Sequence, residues 1–267
     1  MKGWNYLAGK LFGRRDQTGA MQDLALMMKE AHELLKAAEY EKAQPICLKM
    51  VEWRERLHDG AIIEWILTGL AATWLLRNRF DEQIVFFSQY LERYPSDCIA
   101  YCERAGALWY SGRLGDAIGD YNRAIELQPT HLLSRSGRGQ VLAELGESAK
   151  ALDDLDIAVR IIETTARPDE SWREWLREVE AFVRNGRAVA FAGLGQNRES
   201  CNEFEASIAL SPDNAWVYYN RARAGEISGD KDRALSDYRI SLEKIKPRLT
   251  PIQKDRAQER IHALSEN

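Results

Sequence analysis

The chain has 267 residues, of which 45% are apolar and 29% are charged, and its formal net charge is −4. This balance is typical of a folded protein and excludes an intrinsically disordered chain. It also excludes the overall positive field with which proteins neutralise phosphate backbones, so we expect no nucleic acid partner.

Four cysteines and four histidines are scattered along the sequence, and no two cysteines form a Cys-x-x-Cys pair. Disulfide frameworks and metal sites need such residues at short, regular spacings. We therefore predict no disulfide framework, no metal site and no cofactor.

Residues 1–23 are predicted to form an N-terminal tail. Asn5, Gly9 and Lys10 interrupt its apolar residues before a signal peptide could form, and no later stretch reaches the length of a membrane span. We therefore expect a cytoplasmic protein. Residues 1–15 form either a frayed tail or a short amphipathic helix, which is the one segment predicted to be able to contact a membrane. One side of that helix would carry four large apolar residues: Trp4, Leu7, Leu11 and Phe12.

The rest of the chain repeats itself with a period of 34 residues. The clearest copy runs from Cys98 to His131 and has the pattern of two helices joined by a turn. Stepping outward from it gives six copies: 24–57, 64–97, 98–131, 132–165, 181–214 and 215–248.

Small residues recur where two helices must approach closely. Position eight of the copies is always Ala or Gly: Ala31, Ala71, Ala105, Gly139, Ala188 and Ala222. Position twenty is small in all copies but one: Ala43, Gln83, Ala117, Ala151, Ser200 and Ala234. Position twenty-four can be buried in every copy and should fill the space between the helices: Cys47, Phe87, Tyr121, Leu155, Phe204 and Tyr238.

The turn between the two helices is marked at position fifteen, where the first helix should end in a left-handed residue. Four copies have glycine there and one has asparagine, whereas Ala38 suits that backbone poorly: Ala38, Asn78, Gly112, Gly146, Gly195 and Gly229. Proline at position thirty-two should stop the second helix in three copies: Pro95, Pro129 and Pro212.

The period breaks in two places. His58–Ile63 reads as a loop, and Ala166–Glu180 contains a helix start at Pro168. That start predicts that the first helix of the fifth copy extends backward by about three turns. The tryptophans of this insertion, Trp172 and Trp175, either cover a core or dock a partner. After the last copy, residues 249–267 are predicted to form a C-terminal capping helix that begins with a capping box at Thr250.

These positions resemble the tetratricopeptide repeat (TPR) family, which has large residues at positions four, seven and eleven, small ones at eight, twenty and twenty-seven, and proline at thirty-two. The resemblance covers residues 24–248. It implies an all-α fold, a right-handed α-solenoid of six helix-turn-helix repeats with an extended helix before the fifth and a capping helix at the end.

The resemblance also implies a function, because TPR proteins most often bind a partner protein in the concave groove lined by their first helices. The corresponding residues predict an aromatic groove for an apolar or amphipathic peptide or helix. We expect this groove to be lined by Trp65, Ile99, Trp109, Tyr110, Leu133, Gln140, Phe182, Asn185, Trp216, Tyr219 and Arg223. In an alternative interpretation, Trp65 and Trp216 only wedge between neighbouring repeats.

Other functions have weaker support in the sequence. The lysines and arginines of the carboxylate clamp found in TPR co-chaperones do not occur at the required positions. Gly137-Arg138-Gly139 and Gly193-Leu194-Gly195 coincide with repeat positions and lack the third glycine of a phosphate-binding loop, so we predict no catalytic residues and no enzyme. RNA binding by a helical-repeat protein and self-assembly through the ends of the array remain the alternatives.

Overall fold

The computed structural model describes residues 19–55, 60–165, 170–244 and 251–266. These residues form thirteen α-helices and no β-strand, which confirms the predicted all-α class. Three predicted features lie outside the described residues: the amphipathic helix of the tail, the start of the predicted loop at His58, and the helix-start signals at Pro168 and Thr250. The loop predicted for His58–Ile63 is wrong for residues 60–63, which form the first turn of a helix because their apolar side chains continue the helical pattern that follows.

The chain forms two compact units, and the first includes the described residues up to 129 together with 170–175. Consecutive helices of unit 1 pack against each other, and α3 also contacts α1 and α5. Its helices are α1 (Gly19–Lys36), α2 (Tyr40–Val51), α3 (Gly60–Leu75), α4 (Phe80–Arg93), α5 (Cys98–Tyr110) and α6 (Leu114–Leu127).

Unit 2 comprises residues 130–165 and the described residues from 176 onward. Its helices are α7 (Leu132–Glu144), α8 (Ser148–Thr164), α9 (Glu170–Gly193), α10 (Asn197–Leu210), α11 (Ala215–Ser228), α12 (Lys231–Glu243) and α13 (Pro251–Ser265). Helix α9 has 24 residues, so the predicted backward extension is confirmed, and its first six residues belong to unit 1.

Each helical hairpin reverses through a residue with positive φ. Six described residues have positive φ, and all of them occupy position fifteen: Ala38 (60°), Asn78 (57°), Gly112 (83°), Gly146 (78°), Gly195 (73°) and Gly229 (82°). The next backbone N–H donates to the carbonyl at position eleven in all six hairpins, for example from Arg113 to Leu108 at 2.8 Å. This bond satisfies a carbonyl at the end of the first helix. Ala38 therefore adopts the turn despite its side chain.

The two helices of a hairpin meet at the small positions predicted from the sequence. All residues at positions eight, twenty and twenty-four are buried. Gln83 is the exception in size at position twenty, and its Nε2 donates to the Glu103 carbonyl of α5 at 2.9 Å. The boundaries of the 34-residue repeats stay a prediction, because helix ends alone do not define where one repeat stops.

Ion pairs cross four of the hairpins, and the resemblance did not predict them. Position seven, which is large in the family pattern, is arginine in four copies and faces an acidic residue at position twenty-three. The shortest N···O distances are 2.6 Å in Arg104–Asp120 and Arg138–Asp154, 3.3 Å in Arg187–Glu203 and 2.7 Å in Arg221–Asp237. Asp154 also accepts from Arg135 at 2.7 Å. These carboxylates are largely buried, so loss of one partner would leave an uncompensated charge and destabilise the hairpin that contains the pair.

The C-terminal helix α13 packs on α12 and buries Ala257. Glu226 of α11 joins the last three helices, since its carboxylate accepts from Tyr238 Oη at 2.5 Å and from Arg260 Nε at 2.8 Å. Burial opposes ionisation of Glu226, but these hydrogen bonds outweigh it and lower the pKa of the carboxyl.

The first prediction concerns the turn at Ala38. A left-handed alanine is strained by about 1 kcal/mol relative to glycine, so Ala38→Gly should raise the unfolding free energy by about that amount. Gly146→Ala introduces the same strain in another hairpin and should lower the unfolding free energy. Urea denaturation of the full chain measures both. An Ala38→Gly variant no more stable than the wild type would contradict the turn geometry.

The second prediction concerns the doubly paired carboxylate. Asp154→Asn removes the charge that two arginines share and should destabilise the chain by about 2–3 kcal/mol, less than for fully buried pairs because both arginines are partly exposed. Asp153→Asn is the matched control, since this neighbouring carboxylate is exposed. Thermal unfolding should separate the two variants; equal melting temperatures would show that the pairs contribute nothing.

The third prediction concerns pH. Because the pKa of Glu226 is lower in the folded chain than in the unfolded chain, its ionised form stabilises the fold at pH values above the ordinary glutamate pKa of about 4.3. This stabilisation is lost as the pH falls through the lowered pKa. Glu226→Gln should therefore be less stable than the wild type near neutral pH, and the difference should shrink in acid. Denaturation at a series of pH values measures it. A difference independent of pH would contradict the role of this carboxylate.

Candidate functional site

The predicted groove residues of unit 1 differ in how far they reach solvent. Trp65 is only 3% exposed and belongs to a buried apolar cluster, with its ring centroid 6.5 Å from that of His32. Ile99 is partly buried against the same cluster. The Trp65 ring therefore does not face an open groove as the sequence pattern predicted, and its position favours the alternative in which it wedges between helices.

Trp109 and Tyr110 lie at the end of α5, but only Tyr110 reaches the surface. The Trp109 ring is buried, and its centroid is 5.2 Å from that of Tyr110. Tyr110 is partly exposed and stacks on Phe80 with 5.7 Å between centroids and 15° between ring planes. Leu76, in the turn that precedes Phe80, is 55% exposed. We call Leu76, Phe80 and Tyr110 the turn-end surface of unit 1.

In unit 2, helices α7 and α9 approach closely through Gln140. Its Nε2 donates to the Phe182 carbonyl at 2.5 Å. A Cβ on Gly186 would lie 2.8 Å from the same Nε2, so a larger residue there would displace the Gln140 side chain. Gln140 is buried, whereas Leu133 and Phe182 are partly exposed.

Two asparagines meet between α9 and α11. Asn220 Nδ2 donates to Asn185 Oδ1 at 3.3 Å, and the side chains are 8% and 1% exposed respectively. Asn185 is one of the predicted groove residues, and the structure places its side chain in a buried polar contact with Asn220.

The remaining predicted residues lie on α11. Trp216 and Tyr219 are buried, and the Tyr219 ring stands edge-on to Tyr238 with 5.8 Å between centroids. Only Arg223 is exposed, with its guanidinium 6.0 Å from the Tyr219 centroid. Like Trp65, Trp216 and Tyr219 are not open to solvent, because they fill space between packed helices.

The two tryptophans of the insertion, Trp172 and Trp175, contact each other edge-to-face, with 5.5 Å between centroids and 87° between planes. Both are partly buried. Partial burial agrees with a covering role and leaves part of each residue accessible to solvent.

Within the described residues, no group of three or more His, Cys, Asp and Glu side chains could hold a metal ion. Of the four free cysteines, Cys47 and Cys102 are buried, and burial raises the pKa of the Cys47 thiol to about 12. Cys47 is thereby kept protonated, which is unsuitable for a nucleophile. None of the helices in the described ranges has the length and apolarity needed to cross a bilayer.

The sequence is similar to the tetratricopeptide repeat family and to several known proteins. The sequence model described as tetratricopeptide repeat matches residues 102–170 and 177–248, more than half of the chain. Human tetratricopeptide repeat protein 6 is 25% identical over 168 residues, which are 62% of this chain and 29% of that protein. Rat DnaJ homolog subfamily C member 3 is 24% identical over 182 residues, which are 55% of this chain and 36% of that protein. The chain thus spans about a third of each relative.

Solved structures support the same fold. A TPR protein from Parabacteroides merdae has a TM-score of 0.53 at 16% identity, covering 92% of this chain and 100% of the other. A chain of the APC/C hetero-tetramer Cut9-Hcn1 has a TM-score of 0.63 at 12% identity, covering 98% of this chain and 46% of the other. The matched family model, together with the six left-handed turns and the buried small positions, shows that this chain belongs to the tetratricopeptide repeat family.

Proposed function

We propose that the chain is a scaffold or adaptor that binds a segment of another protein along its first helices. The TPR fold generally mediates protein–protein interaction, and proteins of the family are generally non-catalytic scaffolds. The proposed partner is an apolar or amphipathic segment, and the proposed contacts are those predicted groove residues that reach the surface.

The observation that carries this proposal is the turn-end surface of unit 1. Tyr110 and Phe80 stack on each other while both remain partly exposed, and Leu76, four residues before Phe80 in the chain, is mostly exposed. Exposed apolar side chains next to a rigid aromatic pair are typical of contact sites, where tyrosine often contributes much of the binding energy. Trp109 supports Tyr110 from inside the unit.

In this proposal, the buried aromatic residues of the predicted groove support the fold and do not contact the partner. Trp65, Trp216 and Tyr219 hold neighbouring helices at the spacing that the exposed residues need. Replacing them would disturb the fold and would therefore give no clean test of binding. Tyr110 is the better target, because its ring lies partly at the surface.

The fourth prediction tests this surface. Phe80→Ala/Tyr110→Ala should lower the recovery of partner proteins from a lysate by about tenfold, because loss of two contact rings removes at least about 1.4 kcal/mol of binding free energy. Tyr101→Ala is the matched control, since Tyr101 is a partly exposed tyrosine of the same helix that lies beside Arg104. Quantitative mass spectrometry compares recovery, and circular dichroism checks that each variant folds. Equal recovery of every partner by all three proteins would contradict the proposal.

A further inference from the structure

The first hairpin differs from the later ones in how deeply one position is buried. Position three of the 34-residue copies is 61% exposed at Leu26 on α1, whereas it is at most 2% exposed in every later copy. The buried residues at this position are Ile66, Ala100, Ser134, Val183 and Val217. Val217 shows what covers the position, since it packs with Ala188 and Phe204 of the hairpin before it. No described hairpin precedes α1, so Leu26 lacks this cover.

Acidic side chains surround Leu26 on the same side of α1. Asp23, Glu30 and Glu33 are separated from Leu26 by three, four and seven positions, a spacing that puts all of them on one face of a helix. All three are exposed, and none forms an ion pair with another described residue. Met27 extends the apolar part of this face and is only partly buried. We call Asp23, Leu26, Met27, Glu30 and Glu33 the outer face of α1, and it suits a segment that is both apolar and basic.

The segment that directly precedes α1 has this composition. Residues 1–18 contain four basic side chains and one acidic side chain, together with the four large apolar residues of the predicted amphipathic helix. Residues 13–18 are long enough to reverse the chain, since connections between adjacent helices have about two to eight residues. Residues 4–12 would then span about 14 Å as a helix, which is enough to cover the roughly 11 Å between Asp23 and Glu30 along α1.

We propose that residues 1–18 fold back onto the outer face of α1 and cover Leu26, in the place that the preceding hairpin takes in later copies. This inference goes beyond the proposed function, because it concerns a contact within the chain and not the partner. The tail has an advantage over any separate molecule, since a short linker keeps it near α1 at an effective concentration of about 1 mM. The apolar side of the tail is thereby used within the chain, and neither a membrane nor a second copy is its binding partner.

Photocrosslinking of the full chain tests the contact directly. Benzoylphenylalanine replaces Leu7 in the middle of the tail, and the chain is irradiated at low micromolar concentration. We expect a crosslink within one chain, to the α1 peptide that contains Leu26, as identified by mass spectrometry after digestion. If position 7 crosslinked only to other helices or to none, the tail would be shown not to bind α1. Covalent dimers joined through α1 would identify a second copy as the occupant and would equally overturn the inference.

Charge reversal tests which face of α1 is bound. Asp23→Lys/Glu30→Lys should lower the crosslink yield several-fold at low salt and less at high salt, because it repels the basic tail. Adding Lys10→Glu/Arg14→Glu to this variant should restore the yield. Glu92→Lys is the matched control and should leave the yield unchanged, since Glu92 is an exposed glutamate of α4 with no ion pair among the described residues.

Circular dichroism checks that each charge variant folds, and the crosslink from position 7 decides the matter if one of them does not. A yield that Asp23→Lys/Glu30→Lys leaves unchanged would contradict binding to the outer face of α1.

Lipid vesicles test the membrane alternative. Vesicles of phosphatidylcholine and phosphatidylserine present the anionic surface that a basic amphipathic helix binds. We expect the crosslink from position 7 to α1 to persist with these vesicles present, because the tail is already bound within the chain. Loss of this crosslink, together with co-sedimentation of the chain with the vesicles, would show that the tail prefers the membrane and would overturn the inference.

Discussion

The close contact of two helices at positions eight and twenty is the constraint on which the rest of the fold depends. Side chains there are short in nearly every hairpin, so the helices can meet and position twenty-four can fill the space beside the contact. The left-handed residue at position fifteen serves the same contact, because it turns the chain back within a few residues. Ala38 and Asn78 show how strong the constraint is, since the backbone accepts strain there rather than a longer turn.

Most of the fold could be predicted because these requirements are local and leave visible residues at fixed spacing. Glycine at position fifteen and alanine at position eight, when both recur every 34 residues, indicate stacked helical hairpins and hardly fit any different fold. The ion pairs were missed for a related reason. Arg104 and Asp120 lie 16 residues apart, like their counterparts in three other hairpins, but the family pattern directs attention to size at position seven and not to charge. Aligning the acidic residues at position twenty-three would have revealed them.

The candidate site was less predictable, because the sequence indicates which face of a helix a residue occupies but not how deeply neighbouring helices bury it. Trp65, Trp216 and Tyr219 share the predicted face with Tyr110, yet packing covers the first three and leaves the last partly open. Asn185 was a predicted groove residue, and Asn220 directly follows another, Tyr219. Their pairing, however, depends on how α9 packs against α11 in three dimensions. Burial reduced the expected aromatic lining to a small aromatic surface in unit 1, and in unit 2 it covered Trp216 and Tyr219.

The central claim is that the first helices, and not the second helices, receive the partner. Site-specific photocrosslinking tests it most directly, with benzoylphenylalanine in place of Phe182 on α9 or of Ile208 on α10, two partly buried positions on opposite members of one hairpin. We expect the partner to crosslink to position 182 and not to position 208. Crosslinking at position 208 alone would contradict it.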